Sequence, residues 1–318
     1  MCIVAAKYFP GQGWAGAKNR DRNYVPDLTF DLLTDSQPHR LLMRDDMTGY
    51  MEGLNAKGIA VLSASLQVMD DEKEIKKRTR DDNPDGERIC EALKNTTLDR
   101  VVKELVNEGM TGNTVIFDQE RCFILEGANF NDQYKYKLEE VDPNTGIART
   151  NHGILLPQAG YQRGVTAQQD ESRASSEARL KAAESALVTA QTPDQLVDLL
   201  AEQPNKNTQM NPLRTTTDHK RMRTTAQELI IPQEHTFFLR PIQSKLDIDF
   251  WRINQTPDDL WLEILSNRIM RKPKDTNTVD EEETDPFTRL GKIYGSVKPQ
   301  DKGMKDLFKT YGRVQAKL

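Results

Sequence analysis

The chain opens MCIVAAKYFPGQGWAGAKNRDRNY (residues 1–24), and the reading of this stretch decides the fold. CIVAAKYF is a short run of small and β-branched apolar residues, closed by Pro10 and the turn residues GQG, so it predicts a strand followed by a turn. WAGAKNRD predicts its antiparallel partner. Such a hairpin places residues near 18–21 beside residues near 2–5. Lys18, Asn19, Arg20 and Asp21 are thereby expected next to Cys2. Charges on so apolar a strand are costly unless they are used or exposed. A polar strand end in water would give the same pattern, so position alone leaves both readings open.

Cys2 itself has two readings. A second-position cysteine is commonly an ordinary start to a buried strand. It is also small enough for the initiator methionine to be removed, which leaves a thiol and a free α-amine on one residue. Their ordinary pKa values, near 8.5 and about 7.7–8.0, put both close to their reactive forms at neutral pH. The amine can take the thiol proton and later return it to a leaving group, a recognised way of activating a nucleophile. A carboxylate nearby would hold the ammonium, and a cation would favour the thiolate.

The whole chain narrows the function classes. Its 318 residues can bury a large core in one large domain or two medium ones. With 36% hydrophobic and 29% charged residues it reads as globular with exposed helices. A net charge of −5 lacks the basic footprint of a nucleic-acid binder. No apolar run approaches the roughly 20 residues of a membrane span, and Lys7 and Pro10 interrupt the run where a secretory signal needs continuity. The expectation is a cytoplasmic protein. Cys2, Cys90 and Cys122 are too few and scattered for a disulfide framework or zinc site. The histidines (His39, His152, His219, His235) show no metal-ligand spacing. Neither metal nor cofactor is expected.

Further strands are predicted at 58–66, at 113–118 and 121–130 as a hairpin, and at 235–240 and 246–254. GERICEALKNTTLDRVVKELVNEG (86–109) sets Ile89, Leu93, Leu98, Val101, Val102, Leu105 and Val106 at near-helical spacing, with Gly109 as the stop. SSEARLKAAESALVTA (175–190) and TPDQLVDLLAEQ (192–203) predict two more helices, the latter capped by Thr192. Hairpins dominate and no βαβ alternation appears, which argues for an α+β layered fold on antiparallel sheet. From about Ser266 the composition changes, and RKPKDTNTVDEEETDP reads as a charged linker. The chain therefore divides into a catalytic domain, 1–265, and a linker with C-terminal extension, 266–318.

Five blocks recur in one order. They are Cys2 with Asn19-Arg20-Asp21, EGLNAKGIAVLSASL (52–66), GNTVIFDQERCFILE (112–126), RTNHG (149–153) and SSEARL (175–180). Together they resemble the N-terminal nucleophile hydrolases, in the group of choloylglycine hydrolases, penicillin V acylases, acid-ceramidase-like amidases and penicillin acyltransferase-related proteins. The resemblance implies a four-layer αββα sandwich with two antiparallel sheets. It implies Cys2 as nucleophile, Asp21 binding its amine, Asn151 donating to the oxyanion with a backbone N–H near Ser65-Leu66, and Arg179 orienting or charge-balancing the site. Where the group usually has arginine this chain has Lys18, so either Lys18 or Arg20 would support the thiolate. The implied reaction is cleavage of a non-peptide C–N amide through an acyl-enzyme. An acyltransferase on the same site, a glutamine amidotransferase-like enzyme and a catalytically retired binding relative are the alternatives. The expected partner is a small-molecule N-acyl amide, with no nucleic acid and no membrane, and a homo-oligomer is allowed.

Overall fold

The computed structural model describes residues 2–26, 28–33, 36–66, 84–131, 133–216, 221–242 and 314–317. The strand expected at 246–254 and nearly all of the 266–318 extension lie outside the described residues. No helix among the described residues is long and apolar enough to cross a membrane.

The opening hairpin forms as the sequence dictates. Strand β1 (Cys2–Phe9) pairs antiparallel with β2 (Gly13–Arg22), setting Cys2 opposite Arg20 and Val4 opposite Lys18. Cys2, Val4 and Ala6 face one apolar layer while Ile3 and Ala5 face another. Burial on both faces is why this strand reads as a nearly continuous apolar run.

One sheet, separate from this hairpin, is built of β3 (Leu28–Leu33), β4 (Arg40–Asp45), β5 (Tyr50–Asn55), β6 (Ala60–Ala64), β7 (Gly112–Phe117), β8 (Cys122–Phe130) and β9 (Gln133–Glu140), seven strands paired in chain order. The second has six, ordered β10 (Ile147–Arg149), β1, β2, β11 (Arg223–Ile231), β12 (Thr236–Pro241) and β13 (Val314–Lys317). Cys2, Val4, Ala226, Ile230 and Phe237 meet Leu41, Leu54, Leu62, Val115 and Phe117 between the sheets. At Gly16 the approach is so close that a Cβ would lie 2.3 Å from the Phe117 ring, a position only glycine can fill.

Helices cover both outer faces. α1 (Pro84–Ala92) and α2 (Leu98–Asn107) pack through Ile89, Val101 and Leu105 on the seven-stranded sheet. α3 (Ala167–Thr189) and α4 (Pro193–Leu199) pack through Leu180, Ala183 and Leu196 on the six-stranded one. The result is the expected αββα sandwich. Thr166 and Thr192 cap α3 and α4 by accepting from Gln169 N and Gln195 N.

One predicted element is corrected. The apolar spacing over 86–109 reads as a single helix, but it breaks into α1 and α2 around Asn95-Thr96-Thr97. Thr97 is extended (φ −133°, ψ 146°), and the Asn95 side chain donates to Ala92 O, closing the first helix. Gly109 stops α2 with φ +72°.

Candidate active site

Strand alternation sorts the polar cluster into two sets. Lys18, Arg20 and Arg22 share the inter-sheet face with the Cys2 side chain, whereas Asn19 and Asp21 face the α3/α4 layer. Asn19 donates to Leu200 O and Pro212 O, both at 2.8 Å. It is a buried structural anchor of the helix layer.

On the inter-sheet face neither expected cation touches the thiol. Lys18 Nζ is held by both oxygens of Glu52. Arg20 donates to Glu52 Oε1 at 2.5 Å and Asp45 Oδ2 at 3.0 Å. The contact comes from Arg22, whose Nη1 lies 3.4 Å from Cys2 Sγ. Cys2 stands opposite Arg20, so Lys18 and Arg22 are its diagonal neighbours, within reach of a long side chain. Asp45 fixes the Arg22 fork through Nε at 3.3 Å, and Tyr24 donates to the same oxygen at 2.7 Å. The sequence points to Lys18 or Arg20 as the cation supporting the thiolate; the contact with the sulfur is made by Arg22, a residue outside that pair. Lys18 still acts through its field. Burial alone would push the Cys2 thiol up, but Lys18, the amino terminus and Arg22 outweigh it and Asp21's opposing charge, bringing it down to about 6.

Arg22→Met removes the only guanidinium in contact with the sulfur among the described residues. The thiol pKa should rise by about one to two pH units, so the alkylation rate at about pH 7 should fall about two- to tenfold and recover toward about pH 9. An unchanged profile would show that Arg22 does not set the thiolate.

The helix-facing set holds the main chain of Cys2. Its nitrogen donates to Asn151 Oδ1 at 3.1 Å. Arg179, at 0% exposure on α3, donates to the same oxygen at 3.0 Å and to Cys2 O at 3.3 Å. Burial, then Arg214, pull Arg179 down to about 9, so it stays a cation at neutral pH. Asp21 lies 3.4 Å from both Arg179 and Arg214 and accepts from Thr224 Oγ1 at 2.8 Å. Asn151 Nδ2 donates to Ser65 O at 2.7 Å, joining the RTNHG block to the end of β6. Cys2, Asp21, Asn151 and Arg179 thus converge, and Lys18 and Arg20 lie behind the sulfur. Arg22, Arg214 and Tyr24 were not singled out by sequence reasoning. Arg22 was accessible to it, since Lys18, Arg20 and Arg22 alternate on one strand face.

His152, beside Asn151, is structural. It is buried, with Nδ1 2.8 Å from Ser176 Oγ and 3.2 Å from Thr150 Oγ1. Burial and Arg173 hold its pKa down to about 4. A depressed histidine stabilises the fold fully above its unfolded value near 6.5, and this contribution is lost as pH falls toward the folded value. About 2 to 3 kcal/mol should disappear over that window. Denaturant titrations at about pH 7 and about pH 4.5 should show a larger loss for wild type than for His152→Gln. Equal losses would refute it.

No family model matches the chain, and no curated protein matches it. Among solved structures it is similar to a mutant of the conjugated bile acid hydrolase from Clostridium perfringens, at 11% identity over 77% of this chain and 90% of that one, with a TM-score of 0.44. It is also similar to the penicillin V acylase from Agrobacterium tumefaciens, at 12% identity over 76% and 83% of the two chains, with a TM-score of 0.43.

Proposed function

We propose that the chain is a cysteine N-terminal nucleophile amidohydrolase that cleaves a non-peptide C–N amide bond through an acyl-enzyme, in a cytoplasmic setting. One observation carries this reading. The nitrogen of Cys2 is held by Asn151 at 3.1 Å while its sulfur faces Arg22 at 3.4 Å, with the thiol brought down to about 6. A structural cysteine has no need of a thiolate at neutral pH. Cys122 is instead pushed far up by burial, with Asp118 and Glu140 adding to the effect.

Loss of Met1 would turn the Cys2 nitrogen into an α-amine. It would keep Asn151 Oδ1 as one acceptor, and Asp21 would supply the carboxylate charge that holds an ammonium. The Cys2 thiolate attacks the substrate carbonyl carbon, forming a C–S bond and an oxyanion. Asn151 Nδ2 has a second N–H beyond the one given to Ser65 O, and we assign it to that oxyanion. The oxyanion collapses to the thioester and the C–N bond breaks as the α-ammonium, which took the thiol proton, passes it to the leaving nitrogen. Water, deprotonated by the same amine, then releases the acid and frees the thiolate. Arg179 bridges Cys2 O and Asn151 Oδ1, so it orients both residues without touching the reacting atoms.

The test is mass spectrometry of the purified protein with a panel of N-acyl amides. Loss of Met1 and an acyl mass added to the N-terminal peptide are expected. Met1 retained in every molecule, or amine release with no adduct under rapid quench, would overturn the reading.

A further inference from the structure

Beneath Cys2 the inter-sheet face holds three cations and three carboxyl groups. The cations are Lys18, Arg20 and Arg22, and the carboxyl groups are Asp45, Glu52 and Glu228. If every carboxyl were ionised, these charges would already cancel. A Cys2 thiolate would then be a fourth buried anion, with the amino terminus as the further cation beside it. A protonated carboxyl in this cluster lowers the cost of the buried sulfur anion, and the contacts single out which carboxyl that is.

Asp45 takes donors from Arg20, Arg22 and Tyr24. Glu52 takes Lys18, Arg20 and Ser63 N. Glu228, on β11, is 1% exposed, and neither of its oxygens accepts a hydrogen bond among the described residues. Its nearest cation, Arg20 Nη1, is 3.8 Å away and committed to Glu52. Glu228 stands opposite Lys18 on β2 and the apolar Leu239 on β12. Toward the other sheet it faces the Glu52 carboxylate, to which it can donate only when protonated.

We propose, resting on the function above, that Glu228 is a positioning residue that stays protonated beside the Cys2 thiolate. Neutral, it donates to Glu52 and leaves the field of Lys18, Arg20 and Arg22 to balance Asp45, Glu52 and the Cys2 sulfur. Ionised, it competes with the sulfur for Lys18, the cation that both groups feel. Burial first, then the charge of Glu52, holds its carboxyl up to about 8 against the pull of Lys18 and Arg20, so the two states exchange just above neutrality. Tyr50, the other group over this cluster, stacks on Lys18 and Arg20 at 5.1 and 5.5 Å and is pushed far up by burial, so it stays neutral there.

Alkylation of Cys2 by iodoacetate reads this without any amide substrate. In wild type the rate should rise through about pH 6 and fall about fivefold through about pH 8, as Glu228 ionises and repels the anionic reagent. In Glu228→Gln, the neutral isostere, the rise should remain and the fall disappear. A fall of the same size in Glu228→Gln belongs to the α-amine, which titrates in that range, and overturns the proposal, as does a wild-type plateau. A rise displaced to the ordinary thiol range, near 8.5, overturns the nucleophile reading instead. Should Glu228→Gln fail to fold, infrared spectra of wild type carrying 13C-glutamate decide. A protonated glutamate carboxyl band should be present at about pH 7, lost through about pH 8, and lost at lower pH in Cys2→Ala. No such band, or a band indifferent to Cys2→Ala, refutes the role.

Discussion

Cys2→Ala should abolish amide hydrolysis, lowering kcat by about 10⁴-fold or more. The size follows from the absence of a substitute. Cys122 is buried between the sheets with its thiol pushed far up, and Cys90 lies on α1, beyond the seven-stranded sheet, where it accepts from Arg40. No other described cysteine can inherit the attack. Alanine is as small as cysteine, so removal of Met1 should be unaffected and the effect reports chemistry alone. The measurement is amine release by both proteins, with the N-terminal peptide weighed after rapid quench. Equal rates would mean that the sulfur is a packing atom.

Asn151→Ala should be the next most damaging change, reducing kcat by about 10²- to 10³-fold, the usual cost of one oxyanion donor. Asn151 also holds the Cys2 nitrogen and meets Arg179, so alanine removes three contacts at once. Asn151→Asp separates them. Its carboxylate keeps an acceptor for the nitrogen and a partner for Arg179 but has no N–H for an oxyanion. If oxyanion stabilisation dominates, both variants should lose kcat to a similar degree with KM little changed. If Asn151→Asp retains most of the wild-type kcat, the residue matters for holding the amine and the oxyanion role falls.

The hairpin, its register and the helices expected at 175–190 and 192–203 were legible because each rests on a local signal, among them small and β-branched apolar runs, the GQG turn and Thr192 before Pro193, although α3 begins about two turns earlier than read, at Ala167. The site was legible in part, because Cys2, Asp21, Asn151 and Arg179 belong to ordered sequence blocks. Glu228 was not. RTTAQELII (223–231) mixes threonine, a carboxylate and an amide in a strand that is buried throughout, so its polarity argues against the burial it has. Its partners are some 200 residues away in sequence, and no periodicity reports a neighbour across that distance. Arg22 was hidden differently. It ends a polar cluster whose position beside Cys2 was clear, but the split between two strand faces was not used to sort its members. The strands between residues 28 and 55 were passed over because their charges, Asp31, Arg40, Arg44, Asp45 and Glu52, mask the apolar alternation.

Pairing between β2 and β11 is irregular at one point: the register shifts between Thr224 and Ala226. Thr224 is opposite Asp21 and serves the helix layer, while Ala226 is opposite Arg20 and begins the run that brings Glu228 to the interior. Side chains in a regular strand repeat every two residues, so positions 224 and 228 would share a face. A strictly alternating β11 could therefore seat Thr224 on Asp21 or Glu228 among the cations, but never both. The one-residue irregularity puts the strand's two halves in opposite phase, and a single segment of chain thereby supplies both sides of the nucleophile.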